Sequence, residues 1–401
     1  MQRGSLPGSG PWSWLEPGLW VFRSRELDLL GDADRRLEEA VPGARAGGAA
    51  LLAEKRRLHA AGIGAATAPA EAGGGGHRFV VQVAIQFLAG YHELNLRDAA
   101  SVGHGAILCH DPDWLGRREL AQVIDGALVG LAATEPSDEP SVAGVSTLAR
   151  PVQGGFEITG RKKWIARLVE ADAFVVFARS PQHLSAFHVP ARTPGLRATP
   201  VTAAGLTGWS WGELALDGVR VPASAMIGAT VGGVAVFRRH FTEYRPLVAA
   251  TCLGAAASCI DSWVEHVVAR ADEGRPLSSG VSERLGDLRG RVLLALSGLI
   301  TGAAHPGGMD SSWSKLVKAQ AVETALDAAR TAARNMGSEC FEAEHPVRRV
   351  VRDLEAFEYA DGSIDPLLSD AGQRYVQYSA AILDEISEPT STMVRPRLTD
   401  H

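Results

Sequence analysis

Residues 155–179 read GFEITGRKKWIARLVEADAFVVFAR. GFEITGRKKWI and AFVVFAR are rich in β-branched and aromatic residues, and each is short enough to be one strand. Working outward, the same texture recurs upstream in VGLAAT, from Val129, and downstream in LSAFHVP, LRATPV and ELALDGVRVP. Gly or Pro punctuates the gaps. Several strand-type runs within about one hundred residues predict a small barrel or sandwich.

On either side the period changes from two to that of a helix. Leu27, Leu30, Leu37 and Val41 recur at helical spacing, and Leu51, Leu52, Lys55 and Leu58 continue the stripe. After a loop at Pro69 to Gly76, the residues Phe79, Val80, Val83, Ala84, Phe87 and Leu88 make another stripe, and Leu120, Val123 and Ile124 a shorter one. Beyond Val231, residues 233–270, 281–302, 311–336 and 366–386 are long, apolar-rich stretches with few breakers. Four such helices predict an antiparallel bundle. The expected class is α+β: helices over residues 1–127, a β-barrel over 128–230 and a helical bundle over 231–401. Both Gly- and Pro-rich tails are expected to fray.

Composition narrows the function. The chain has 401 residues, 46% hydrophobic and 21% charged, which excludes a disordered protein. Lys and Arg number 40 against 46 Asp and Glu, for a net charge of −6, without the basic excess of a nucleic-acid binder. Four cysteines, Cys109, Cys252, Cys259 and Cys340, make no disulfide framework and read as buried structural residues. No continuous apolar run reaches the roughly 18–20 residues of a membrane span. The first twenty residues have no continuous apolar segment of a signal peptide. The expectation is a soluble cytoplasmic protein.

Familiar chemical motifs are missing. There is no HExxH, no GxSxG elbow, no GxGxxG after a strand and no Walker lysine. No metal site is expected, and the Gly73–Gly76 run reads as a flexible turn. Other residues stand out. Trp164 follows three cations, Arg161, Lys162 and Lys163, either as an edge strand with snorkelling lysines or as an aromatic wall for a planar ligand. Arg245 lies in an apolar helix and needs a carboxylate or an anionic ligand. Arg352-Asp353 reads as a surface pair, and Asp361-Gly362-Ser363 as a helix cap.

From about Leu58 to Ile382 the chain resembles the acyl-CoA dehydrogenase superfamily of flavoproteins. The motifs are the Pro69-to-Gly74 loop, Leu131-Ala-Ala-Thr134-Glu135-Pro136, Gly160-Arg-Lys-Lys-Trp164-Ile165, Ala171-Asp172-Ala-Phe174 and Asp217-Gly-Val-Arg-Val-Pro222. The resemblance implies an N-terminal helical domain, a middle β-barrel and a C-terminal four-helix bundle. It also implies FAD between barrel and bundle, and a homodimer or homotetramer whose neighbouring subunit completes the cofactor site. The implied chemistry is removal of an acidic α-proton by a carboxylate while the β-hydrogen leaves as hydride. The implied partners are an acyl thioester, on CoA or an acyl carrier protein, and an electron acceptor, either a flavoprotein or oxygen.

Residue by residue, the resemblance places Thr134, Trp164, Ile165 and Ala166 at the flavin ring and Arg270 at the FAD pyrophosphate. It assigns Gly337 and Ser363 to the cofactor as well, and Arg245, Tyr244 and Gly362 to the substrate. Asp361 falls on the catalytic glutamate of a Glu-Gly-Thr motif, eight residues after Asp353. Tyr244 occupies the alternative base position, and helical geometry directs the nearby Glu243 and Glu358 elsewhere.

Several positions depart from the family pattern. Asp361 is one methylene short, Ala166 lacks the usual hydroxyl, Glu273 replaces an aromatic residue, and Arg334-x-x-Gly337-Ser338 replaces Gln-x-x-Gly-Gly. Ser137-Asp138-Glu139-Pro140-Ser141 puts two carboxylates where a Gly-rich loop flanks the thioester arm, which disfavours an anionic CoA nucleotide. Three readings follow. One is an acyl-thioester dehydrogenase, possibly carrier-bound, of specialised metabolism. Another is an oxidase or monooxygenase of nitroalkane-oxidising or N-oxygenating type. The third is a non-redox relative that has lost FAD.

Overall fold

The computed structural model describes residues 10–136, 144–181, 183–229, 231–305 and 310–387. The acidic loop Ser137–Ser141 lies outside these residues. Helices α1 (Pro11–Leu15), α2 (Ser24–Ala46), α3 (Gly48–Ala60), α4 (Phe79–His92), α5 (Ala106–Cys109) and α6 (Arg118–Ile124) come first. Leu30, Leu37, Leu51 and Leu58, the stripe read from the sequence, are fully buried. Helix α4 is buried from Val80 to Gly90, as befits a helix that is apolar on most of its surface. The segment from Gly10 is packed, contrary to the frayed tail expected there. Trp14 is buried and donates from Nε1 to Asp261 Oδ2 at 3.0 Å.

The strands β1 (Val129–Ala132), β2 (Leu148–Val152), β3 (Gly155–Ala166), β4 (Ala173–Arg179), β5 (Leu184–Pro190), β6 (Leu196–Val201), β7 (Trp211–Pro222) and β8 (Met226–Ile227) follow. They form one sheet in the order β6-β7-β3-β2-β4-β5-β8, with β1 added to β4 in parallel. Thus β3 lies between β2 and β7, which corrects the reading of an edge strand with snorkelling lysines. Lys162 is fully buried, and its Nζ donates to Glu135 Oε1 at 2.8 Å. Nor is the Gly73–Gly76 turn a loose one. Its amides donate in succession to the carbonyls of Ala70, Pro69, Ala65 and Ala68.

The last layer contains α7 (Gly232–Asp272), α8 (Ser279–Ala304), α9 (Ser311–Met336), α10 (Pro346–Glu355) and α11 (Ile364–Ser387). Ser314 donates to the Phe241 carbonyl, so α7 and α9 start at the same end and α8 returns between them. One window of α7 is apolar enough by length and composition to cross a membrane, contrary to the absence expected from the sequence. That window is 78% buried within the chain, so α7 serves as a core helix. The N-terminal helices and the bundle share one apolar core, and the sheet has a second.

The seam between α4 and α7 depends on two glycines. A Cβ on Gly90 would lie 1.9 Å from the Thr251 carbonyl oxygen, and one on Gly254 would lie 2.0 Å from that of Phe87. The two backbones therefore touch, and only hydrogen side chains allow it. Gly90→Ala or Gly254→Ala should destabilise the chain by about 1–3 kcal/mol or more through overpacking. Gly298→Ala, in an exposed helix position with nothing within 4 Å, should be neutral or stabilising by up to about 1 kcal/mol. Urea unfolding midpoints check the contrast.

Candidate active site

The site is built around a carboxylate that sequence reading did not single out. Asp98 is buried just after α4. Its Oδ2 accepts a short hydrogen bond from Arg167 Nη1 and lies 3.5 Å from Arg97 Nη2. Tyr244 OH, on α7, donates to Asp98 Oδ1 at 3.1 Å. Lys55 Nζ donates to the Asp98 and Ser101 carbonyls at 2.9 and 2.6 Å. Burial alone would raise Asp98, but Arg167, Arg97 and Lys55 hold its carboxyl well below the usual range. Burial pushes Lys55 down to about 7 and its neighbour His59 to about 3.

Arg97 passes the charge on to the residue expected to be the base. It donates from Nη1 to Asp361 Oδ2 at 3.2 Å and stacks over Phe357 at 5.0 Å. The Asp361 side chain is about 10% exposed, and its Oδ1 makes no hydrogen bond among the described residues. Asp361 has φ 60° and Gly362 φ 107°, so the carboxylate is presented from a left-handed turn. Asp tolerates that region better than most residues, at a cost of order 1–3 kcal/mol that the surroundings must offset. Two cations hold the turn. Arg245 Nε donates to the Asp361 carbonyl at 3.0 Å, and Lys318 Nζ to the Gly362 carbonyl at 2.6 Å. Burial brings Arg245 to about 10 and Lys318 to about 8. Arg245 thus donates to a backbone carbonyl, with the Phe241 ring 4.9 Å away.

The sheet contributes the residues expected at a flavin. Glu135 is anchored inward by Ser146, Thr147 and Lys162, which outweigh its burial and hold it near 2. Its neighbour Thr134 is exposed, and the Thr134 carbonyl accepts from the Lys163 amide at 2.9 Å. The β3–β7 register slips between Lys162 and Ile165, and Trp164 sits in the bulge with φ 58°. Its ring is 57% exposed, whereas Ile165 and Ala166 are buried. Asp353 is no surface residue. It is buried, and its Oδ1 accepts from the Leu206 amide at 2.6 Å, pinning a sheet loop onto α10. Burial pushes it up to about 6.

Two expected cofactor residues lie elsewhere. Arg167 and Tyr244 meet at Asp98, and Arg270 is about seven turns further along α7, about 40 Å away. Gly337 caps the far end of α9 with φ 85°, and Arg334 and Ser338 are exposed there. Ser363 precedes α11 beside Gly362. Glu243 does not point away from everything: it lines a cavity together with Tyr244. Among the cysteines, Cys109 is half-buried and the other three are buried. Arg97, Asp98, Arg167 and Lys318 were not identified from sequence. The lone Lys55 in an apolar stripe was the visible signal, since a buried cation requires acceptors.

The chain has known relatives. The acyl-CoA dehydrogenase middle-domain model matches residues 130–219, and the C-terminal-domain model matches 232–375. The chain belongs to the acyl-CoA dehydrogenase superfamily. A probable acyl-CoA dehydrogenase from Bacillus subtilis is 26% identical over 74% of this chain and 82% of its own length. An L-prolyl-[peptidyl-carrier protein] dehydrogenase from a Serratia strain is 28% identical over 53% of this chain and 59% of its own. Among solved structures, PigA with FAD and proline superposes with a TM-score of 0.79 at 19% identity, over 88% of this chain and 98% of that one. As a superfamily member the chain is a flavin oxidoreductase and its cofactor is FAD. The residues present fit a planar ring at the Thr134–Trp164 edge, where a large aromatic side chain is held open on a strained bulge.

Asp98→Asn should destabilise the protein by about 3–5 kcal/mol, because Arg97 and Arg167 would remain buried without their counter-ion. The pH dependence follows the same logic. Asp98 is held below its unfolded value near 3.9, so its contribution is complete above that value and is lost as pH falls toward the folded one. Acid unfolding should therefore begin at higher pH in a variant already lacking Arg167, which unfolding monitored by circular dichroism would measure.

Proposed function

We propose that this enzyme dehydrogenates an acyl thioester at its α,β carbons, with Asp361 as the base. The observation that carries the proposal is the turn at Asp361. A strained carboxylate, one oxygen tied to Arg97 and its backbone clamped by Arg245 and Lys318, is read as a poised base, while Ser363 leads into α11 with its carbonyl accepting from the Leu367 amide at 3.2 Å. FAD, when bound, supplies the hydride acceptor. Asp361 takes the α-proton on its carboxylate. Arg97 fixes the carboxylate plane, so the shorter side chain is aimed by its partner. Tyr244, engaged with Asp98, serves as a wall rather than a second base. Its phenol is pushed up by burial and stays neutral.

The thioester is better read as carrier-bound than as free CoA. Asp138 and Glu139 would repel the nucleotide phosphates, and one relative acts on a prolyl group carried by a peptidyl-carrier protein. Arg270 and Gly337 would then serve the cofactor of a neighbouring subunit in a homodimer or homotetramer.

The purified protein should carry bound FAD and bleach anaerobically with a suitable acyl thioester. Asp361→Asn should lower flavin reduction by about 10²–10⁴-fold and abolish α-proton exchange, while FAD stays bound. Retained exchange would remove Asp361 from the mechanism. Rapid peroxide formation on turnover would instead favour the oxidase reading.

A further inference from the structure

A cavity of about 110 Å³ opens beside Tyr244. Its walls come from α4 and α7 and from the segment between Ser101 and His110. Gln82, Cys109, His110, His240, Glu243 and Tyr244 supply the polar and reactive side chains. The volume is below the roughly 150 Å³ of an apolar cavity that admits benzene, which leaves room for about four to six non-hydrogen atoms.

The lining holds one carboxylate, Glu243, which burial pushes up from its ordinary value while Arg239 opposes the shift. No Lys or Arg lines it. Burial pushes His110 down to about 4 and His240 well below its ordinary value, so both rings are neutral near pH 7. Arg97, Arg167 and Arg245 are spent on Asp98 and Asp361. Arg239 approaches Glu243 only at 4.0 Å from the solvent side, a pair of little energetic weight. His110 Nε2 lies 3.3 Å from Glu243 Oε2, yet it is buried and makes no hydrogen bond. An orphaned ring nitrogen of that kind carries a desolvation penalty until a ligand satisfies it.

We propose that this cavity selects a short acyl group bearing a protonated amine, with Glu243 as its counter-ion and His110 as a second partner. The proposal rests on the acyl-thioester reading above and adds the substrate class. An ammonium brings several donors to a wall that offers one carboxylate, whose nearby cation, Arg239, approaches at 4.0 Å from outside the lining. A neutral acyl chain would leave the His110 nitrogen unsatisfied and Glu243 to solvent and Arg239. A carboxylate-bearing chain would meet Glu243 as a like charge.

Calorimetry of the holoenzyme with two unreactive pantetheine amides tests this, one of proline and one of cyclopentanecarboxylic acid. The rings match in size and differ in charge. The proline amide should bind at least about tenfold tighter to the native protein. That ratio should fall to near one in Glu243→Gln and persist in part in Glu243→Asp. Equal binding of the two amides to the native protein, or a preference that survives Glu243→Gln, overturns the cavity assignment and leaves the acyl-thioester reading standing. If neither amide binds the native protein, both fail together.

Discussion

The positions of Arg97, Arg167 and Tyr244, and through Arg97 that of Asp361, depend on the Asp98 carboxylate. Three layers of the fold each send it a partner: Arg97 beside it in the N-terminal helices, Arg167 from the end of β3, and Tyr244 from α7. A buried carboxylate is expensive to desolvate, and so are two buried guanidiniums. None of the three can be satisfied unless all the layers are docked. The network therefore contributes little as net attraction and much as a condition on geometry. Because Arg97 also holds Asp361, that condition extends to the proposed base.

The glycine seam between α4 and α7 supplies the stiffness this needs. Backbone contact at Gly90 and Gly254 fixes the axial register of the two helices. Asp98 follows α4 and Tyr244 rides on α7, so a slip of one turn, about 5.4 Å, would break their hydrogen bond. On the other side Asp353 fastens the loop at Leu206 to α10, only a few residues before the turn that carries Asp361. Strain at φ 60° is tolerable there because both ends of the turn are tied down.

Much of this fold was legible in the sequence. Helix α9 matches the residues 311–336 read from its pattern, and the strand runs fall on β1, β3, β4, β5, β6 and β7, because burial on one face imposes a period. What a period cannot show is which side chains meet across the layers. Lys162 read as a surface cation because its partner Glu135 lies 27 residues away. The Gly73–Gly76 run read as loose because its acceptors are backbone carbonyls, which leave no trace in composition. Arg245 stood out as a lone cation in an apolar helix, Asp361 and Tyr244 gained their roles by resemblance, and Arg245 does meet the Asp361 turn. The charges that hold them together, Arg97, Asp98, Arg167 and Lys318, were invisible, since each is explained only by its neighbours in space.

The distance along α7 bears on how a flavin would be held. Trp164 lies three residues before Arg167, which meets Tyr244 at Asp98, and Arg270 is about 40 Å further along α7. That is far more than separates a flavin ring from its own pyrophosphate. If Arg270 serves a pyrophosphate at all, the ring attached to it lies against another copy of the chain. Leu294 on α8 and Tyr375, Val376 and Tyr378 on α11 are exposed apolar side chains of the bundle. On that reading Glu273 and Arg334 are neighbours of a partner's cofactor. Their departure from the family pattern would then alter the adenine end of FAD and leave the chemistry at Asp361 untouched.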